Sequence, residues 1–278
     1  ERFFKKGIWR RFYPPVSNKI KNRTTRFAGD TYYVLCASAF LSYDVSLLGF
    51  PEDKCFKWGY FPQVDFFEAY PERNNEKPRI LWAGRMIDWK RAETALKACS
   101  SLHKAGVDFW LDYIGDGVCA DELKALSIKY GLTDKVRFLG PMTPENVRKE
   151  MITSDIFLFT SNFREGWGAV LNEAMSCGCA VLASSAAGCV PYLIEDNKNG
   201  MVYKYNSQKD FNKKLKLLAS DKNLRKNIGE YAIYTINNKY SAQLAVKRFV
   251  EFVRAEGNIS FENGPMSKAE IIKNKWYK

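Results

Sequence analysis

Histidine, paired cysteines and uninterrupted apolar runs are scarce in this sequence. Its 278 residues include one histidine and seven cysteines. The number of cysteines is odd and no CxxC pair occurs, so the pattern fits neither a disulfide framework nor a structural zinc site. The only near-pair is Cys177-Gly178-Cys179, which reads as small core residues. The sequence therefore predicts reduced thiols and a cytoplasmic protein.

The longest uncharged run, residues 174–194, is long enough to span a bilayer. Gly178, Gly188 and Pro191 help to divide it, so it predicts a helix, a turn, a strand and a turn. No apolar segment follows the first basic residues, which argues against a signal peptide. Because the chain starts at Glu1 without a methionine, we expect it to begin inside a longer protein.

Positive charge is concentrated at the start of the chain, within a net charge of +12. Residues 1–26 hold nine lysines and arginines against the single acidic Glu1, with Phe4, Trp9 and Phe12 among them. Such a segment is typical of peripheral contact with an anionic membrane, here the cytoplasmic face. The alternative is a solvated helix whose aromatic rings pack on the fold. We expect no nucleic-acid partner, because no recognisable nucleic-acid module accompanies the charge.

Short apolar segments alternate with helical patterns from Pro78 onward. The predicted strands are 79–83, 109–114, 136–139, 156–160 and 180–183. The predicted helices between them are 91–104, 120–130, 144–151 and 169–176, followed by helices at 208–219, 223–237 and 242–255. This order predicts an α/β fold: a Rossmann-like parallel sheet with helices on both faces and ligands at the carboxyl ends of the strands.

Residues upstream of the sheet have fewer elements. They predict a strand at 32–36, a short helix at 40–48, a strand at 55–61 and a linker at 70–77. These are too few for a second complete α/β domain, which usually needs about 100 to 150 residues. We therefore predict a partial amino-terminal domain with linker over 1–77, a carboxyl-terminal domain over 78–256, and a tail of loop and short helix over 257–278.

Two cations follow the first strand of the predicted sheet. In Gly84-Arg85-Met86-Ile87-Asp88-Trp89-Lys90, the glycine permits a tight turn and leaves space beside the backbone. Arg85 and Lys90 together carry enough charge to offset a diphosphate without a metal ion. Arginine grips phosphate through two parallel hydrogen bonds, and lysine acts as a point charge.

Two carboxylates flank an uncharged stretch after the fourth predicted strand. In REGWGAVLNEAM, Glu165 precedes a helix expected from Trp167, and Glu173 lies about 9 Å further along its axis. The helix start offers free backbone N–H groups to phosphate. Carboxylates on both sides suit a ligand with hydroxyls at both ends, such as a nucleotide diphosphate sugar.

These motifs are followed by the SSAAG turn and Asn199-Gly200-Met201. In this order they resemble glycosyltransferase family 4, a family of retaining enzymes with the GT-B fold. The resemblance implies that residues 78–256 bind a nucleotide sugar and that residues 1–77 belong to the acceptor side. It implies that Arg85 and Lys90 bind the diphosphate and that Glu165 binds the transferred sugar. The remaining implied contacts are Glu173 with ribose, the backbone near Phe138 and Leu139 with the base, and the amides of Gly166, Trp167, Gly168, Ala169 and Val170 with phosphate and sugar. Family members need no metal for this step, so we expect neither a metal site nor a cofactor.

Some positions depart from the family pattern. Arg91 follows the lysine where glycine is usual, and Val190-Pro191-Tyr192 replaces a common Pro-Glu pair. The sole histidine, His103, lies away from the strand ends and is expected to be a surface or packing residue. The amino-terminal glycine-rich loop and histidine usual in the family are not among these residues.

The resulting functional prediction is a retaining hexosyltransferase that uses a UDP- or GDP-sugar. Its acceptor would be a glycan or lipid-linked glycan in surface polysaccharide or glycolipid synthesis. Two alternatives stay open: a GT-B nucleotide-sugar epimerase, and a donor-binding domain without turnover. A hydrolase with an acid and nucleophile pair is disfavoured, because that mechanism has no role for the phosphate-binding features.

Overall fold

A computed structural model describes residues 32–47, 50–64 and 67–273. The basic aromatic segment 1–26, with its predicted membrane contact, lies outside the described residues. The described residues divide into two compact units: one runs from Pro62 to Asn238, and the other combines residues up to Phe61 with those from Lys239 onward. No helix in the described part of the chain is both long and apolar enough to cross a membrane.

The larger unit contains a six-stranded parallel sheet. Its strands are β3 (Arg79–Ala83), β4 (Trp110–Ile114), β5 (Val136–Phe138), β6 (Ile156–Phe159), β7 (Ala180–Ser184) and β8 (Met201–Tyr203). Their spatial order is β5-β4-β3-β6-β7-β8, and every pairing is parallel. The order changes direction between β3 and β6, where doubly wound sheets open a crevice for ligands. The predicted Rossmann-like α/β class is confirmed.

Helices connect these strands, and two more follow the last strand. They are α2 (Ala92–Lys104), α3 (Ala120–Lys129), α4 (Pro144–Thr153), α5 (Val170–Ser176), α6 (Val190–Leu193), α7 (Gln208–Ser220) and α8 (Lys222–Lys239). The Thr143 side chain accepts a hydrogen bond from Asn146 N, and Pro144 fills the first helical position of α4. Asp221 accepts a hydrogen bond from Leu224 N at 2.9 Å and so caps the start of α8.

The core of this unit is continuous and apolar, because the central strands are buried on both faces. Ile80, Leu111, Ile156 and Leu182 are fully buried or nearly so, and the buried face of α2 packs against them. Charged residues are also buried in this unit, and Asp112 of β4 is fully buried. Short β8 and α6 were not predicted, because each has only three or four residues and shows no resolvable period.

The smaller unit contains a two-stranded parallel sheet, β1 (Val34–Cys36) and β2 (Cys55–Lys57), with helices α1 (Leu41–Ser46) and α9 (Ala242–Arg254). Phe252 of α9 meets Tyr33 and Phe56 in edge-to-face contacts with ring centroids 4.8 and 4.7 Å apart. Helix α9 thus belongs to this unit, whereas we predicted a domain limit at residue 256. The functional domain limits at 77 and 256 stay a prediction.

The tail differs from the sequence prediction over its described part. Residues 257–273 contain no helix, although loop and then helix were expected. The chain instead follows β2: Met266 N donates to Lys57 O at 2.8 Å, and Ala269 N donates to Cys55 O at 2.9 Å. The open edge of β2 offers unpaired backbone groups that hydrogen-bond the tail, whereas a short isolated helix is only marginally stable.

Candidate functional site

The carboxyl ends of the parallel strands place the predicted charged residues in loops at one edge of the larger unit. The loop after β3 carries Arg85 and Lys90, and the loop after β6 carries Glu165. These loops lie at the reversal point of the strand order, since β3 and β6 are neighbours. The arrangement follows from the parallel topology and does not require the loops to be close in sequence.

The loops after β3 and β6 are tied to each other by their backbones. Asn162 N donates to Trp89 O at 2.8 Å, and the hydroxyl of Thr160 donates to Lys90 O at 2.6 Å. The indole N–H of Trp82 in turn donates to the Thr160 hydroxyl at 2.9 Å. These bonds hold Lys90 in one position relative to the carboxyl end of β6.

Lys90 and Glu165 form an ion pair between Nζ and Oε2. Their side chains are only 16% and 13% exposed, so solvent screens the pair weakly. The hydroxyl of Ser161 donates to the same carboxylate oxygen at 3.1 Å, and Gly188 N donates to Glu165 O at 2.9 Å. Glu165 is therefore fixed by the loops after β3, β6 and β7.

The other predicted carboxylate, Glu173, lines a cavity of about 450 Å³. Gly84, Arg85 and Val170 also line it, so four predicted site residues share one cavity wall. The remaining lining residues are Ala83, Ile114, Gly115, Asp116, Pro141, Met142, Pro144 and Val147. The cavity is mostly apolar with few charged groups, as is usual for a small-molecule site.

The glycines of the strand-end turns permit close backbone approach. Gly115 has φ +117°, and a Cβ atom there would lie 2.0 Å from Gly84 O. Gly168 has φ +83°, and its Cβ would lie 2.5 Å from the Phe159 ring. Any other residue at either position would displace backbone or core atoms.

The helix after REGWG begins later than predicted. Helix α5 starts at Val170 rather than near Trp167, because Gly168 adopts a left-handed conformation that a helix does not accommodate. Glu173 is therefore one turn into the helix instead of almost two. Trp167 is buried, 2% exposed, and its indole N–H donates to Asn172 Oδ1 at 2.8 Å, so its side chain anchors the loop.

Phe138 and Leu139 lie at the end of β5. The Phe138 ring stacks on Tyr113 with centroids 5.2 Å apart, and Leu139 N donates to Tyr113 O at 2.8 Å. The residues that reach the cavity from this side are Pro141 and Met142, a few positions further on. Both residues come just after the glycine that follows this strand, and that strand end is visible in the sequence.

Arg148 was not predicted from sequence. Its Nη1 atom lies 3.4 Å from Oε1 of Glu173. Burial raises the pKa of the Glu173 carboxyl, and the charge of Arg148 and its hydrogen bond oppose that rise. Arg148 is one of several charged residues on α4, and no local pattern distinguishes it from Lys149.

Arg85 is exposed and lies over Trp89, with its guanidinium carbon 5.9 Å from the ring centroid. No ion pair to Arg85 occurs among the described residues. Arg91 has φ +54°, the left-handed conformation for which glycine is usual at this family position. His103 is exposed in the last turn of α2, which confirms that it lies away from the strand ends.

Known proteins with similar sequences are glycosyltransferases. The family of glycosyl transferases group 1 matches residues 64–234. An uncharacterised glycosyltransferase of Methanocaldococcus jannaschii is 30% identical over 179 residues, which cover 64% of this chain and 45% of the relative. An N-acetylgalactosaminyltransferase of Campylobacter jejuni, named for an undecaprenol-diphosphate acceptor, is 32% identical over 53% of this chain and 39% of its own. The chain thus spans about half the length of these relatives or less.

Solved structures support the fold. A glycosyltransferase of Rickettsia africae superposes with a TM-score of 0.73 at 21% identity, covering 87% of this chain and 68% of its own. The Anabaena protein HepE in complex with UDP superposes with a TM-score of 0.71 at 17% identity, with the same coverage of both chains. The predicted GT-B type of fold is therefore confirmed. Since the family match covers more than half of the sequence, the chain belongs to the group 1 glycosyl transferases.

Proposed function

We propose that this chain carries the donor site of a retaining glycosyltransferase that moves a hexosyl unit from a nucleotide diphosphate sugar to an acceptor hydroxyl. One observation carries the proposal. Arg85 and Glu173 line one cavity at the carboxyl edge of the sheet, and Lys90 and Glu165 form an ion pair on the loops at that edge. We infer from this arrangement that cations for a diphosphate and carboxylates for two sets of hydroxyls form one site.

In this proposal, Arg85 and Lys90 bind the diphosphate, and the amides of residues 166–170 bind phosphate and sugar. Glu173 accepts hydrogen bonds from ribose, and Glu165 accepts them from the transferred sugar. The backbone near Phe138 and Leu139 receives the base. The reaction gains most from stabilising charge on the departing diphosphate and from orienting the sugar. Two side-chain cations can supply that stabilisation without a metal or cofactor.

The acceptor is proposed to be a glycan or lipid-linked glycan in surface polysaccharide or glycolipid synthesis. The Campylobacter relative is named for transfer to a lipid diphosphate acceptor, which supports this class. A protein that acts on such an acceptor would work in the cytoplasm at the membrane face. The UDP complex of the Anabaena neighbour makes UDP the first nucleotide to test.

Incubation of the chain with UDP- and GDP-sugars, with and without lipid-linked oligosaccharide, tests the proposal. We expect nucleotide release together with a new α-glycosidic bond, and only when acceptor is present. A new epimer formed from the donor alone would instead support an epimerase. Donor binding without product under any acceptor condition would contradict transfer by this chain and leave a binding domain.

A further inference from the structure

Helix α4 forms one wall of the donor cavity. Pro144 and Val147 of this helix line the cavity directly. The next residue, Arg148, pairs with Glu173 of α5 at 3.4 Å, and the two side chains are 21% and 16% exposed. An arginine from outside the predicted motifs therefore touches the carboxylate that is proposed to bind ribose.

A carboxylate in this position needs a compensating charge. Glu173 is largely removed from water, and burial favours its neutral form, so its pKa is raised. Several charged and titratable groups surround it. Arg148 approaches from α4, and Arg85 and Asp116 line the same cavity from the loops after β3 and β4. Cys177 caps the carboxyl end of α5, one turn after Glu173. Only Arg148 makes an ion pair with Glu173 among the described residues.

Ionisation of Glu173 matters for ribose recognition. An ionised carboxylate has two acceptor oxygens and can accept from two vicinal hydroxyls at once, whereas the protonated form has an O–H that competes as a donor. Hydrogen bonds to a charged acceptor are also about twice as strong as neutral ones. Any residue that keeps Glu173 ionised and oriented therefore affects the ribose contacts and not the diphosphate contacts.

We propose that Arg148 is a positioning residue for the donor site, which holds the Glu173 carboxylate ionised and oriented toward the ribose hydroxyls. It acts through Glu173 and does not touch the reacting atoms. The proposal rests on the proposed donor function. It goes beyond that function by assigning ribose selectivity to an arginine on α4.

The same helix offers a matched control. Lys149 is adjacent in sequence, but its side chain is 65% exposed and pairs with Glu145 one turn away. Lys149→Met thus removes the same charge from the same helix without touching Glu173. Arg148→Met keeps most of the side-chain volume, and Arg148→Lys keeps the charge.

The test compares binding of UDP and 2′,3′-dideoxy-UDP by calorimetry across about pH 5 to 8. The ratio of the two dissociation constants reports the ribose hydroxyls alone, because titration of the diphosphate affects both ligands equally. We expect Arg148→Met to reduce this ratio about tenfold near neutral pH. In Arg148→Met, the ratio should also begin to fall on acidification at a higher pH than in the wild type, because removing Arg148 raises the Glu173 pKa further. Arg148→Lys should restore part of the ratio, and Lys149→Met should leave it unchanged.

The outcomes separate the two proposals. If Arg148→Met binds both ligands more weakly by the same factor, with an unshifted pH profile, Arg148 has only a structural role and the inference is wrong. If the wild type binds neither UDP nor GDP, the proposed donor function fails first. Circular dichroism and thermal unfolding of each variant establish that the protein is folded when it is titrated.

Discussion

The ammonium group of Lys90 pairs with the carboxylate of Glu165, joining the loop after β3 to the loop after β6. The two residues are 75 positions apart in the chain. Both are mostly buried, and Glu165 also accepts a hydrogen bond from Ser161. The cation proposed for the diphosphate is thus paired with the carboxylate proposed for the sugar.

Breaking this pair should impair both transfer and stability. We expect Lys90→Ala and Glu165→Ala each to lower turnover more than about tenfold, since each removes a proposed contact with the donor. Each should also cost about 1–3 kcal/mol in the free energy of unfolding, because the partner charge is left mostly buried and unpaired.

A double-mutant cycle measured by urea unfolding checks the pairing. The loss in Lys90→Ala/Glu165→Ala should be smaller than the sum of the two single losses by about 0.5–3 kcal/mol. Strict additivity would contradict a direct interaction between the two side chains.

A side chain should be destabilising at Gly168 and tolerated at Gly166. Gly168→Ala places a Cβ at φ +83°, 2.5 Å from the Phe159 ring and 3.3 Å from the carboxyl carbon of Glu165. We expect a loss of about 1–3 kcal/mol in stability and a weaker affinity for UDP. In Gly166→Ala, two positions away, the added Cβ meets nothing within 4 Å, so this variant serves as the control for stability.

Thermal unfolding and calorimetric titration of the two variants provide the comparison. Equal stability of Gly166→Ala and Gly168→Ala would contradict the left-handed turn before α5.

The buried carboxylate of Asp112 should be essential for folding stability. Its oxygens pair with Arg79 Nε at 2.6 Å and Arg137 Nε at 2.6 Å, from the strands on either side of β4. Asp112→Asn removes the negative charge and leaves two arginines facing a neutral amide. We expect a loss of about 3–5 kcal/mol, measured by urea unfolding.

Asp121→Asn provides the surface control. The Asp121 side chain is almost fully exposed and pairs with Lys124 three residues later on α3. No measurable loss is expected there. A loss at Asp112 as small as that at Asp121 would contradict its buried position between the two arginines.

Thiol reactivity should follow burial. Six of the seven cysteines are buried, and only Cys119 is partly accessible. Burial raises the pKa of Cys177 to about 11 and that of Cys179 to about 12, so both stay protonated and unreactive near neutral pH.

Brief alkylation of the native protein, followed by peptide mass spectrometry, should label Cys119 well before the others. Unfolding in denaturant should expose all seven. Early labelling of Cys177 or Cys179 in the native state would contradict their place in the core.

The strand and helix pattern of the larger unit was predictable because its elements have clear periods and end at recognisable residues. Strand β3 matches its predicted bounds, and α4 begins at Pro144 as expected. The continuous apolar runs of these strands reflect burial on both faces of the sheet. The parallel order then places Arg85, Lys90 and Glu165 at one edge without further information.

Other features depend on contacts between distant residues. The ion pair of Arg148 with Glu173 spans 25 positions, and the sequence of α4 contains no signal that selects this arginine. The start of α5 depends on the backbone conformation of Gly168, which packs against Phe159. The tail after residue 257 pairs with β2, a partner that propensity alone does not reveal.

Calorimetric titration of UDP and GDP into the wild type, Arg85→Ala and Glu173→Gln decides whether a nucleotide donor binds at this edge of the sheet. We expect one of the two nucleotides to bind the wild type at a single site. Arg85→Ala should weaken that binding through the diphosphate, and Glu173→Gln should weaken it through the ribose, each by about tenfold or more. Absence of binding to the folded wild type, or equal affinity in all three proteins, would contradict a donor site at this edge of the sheet.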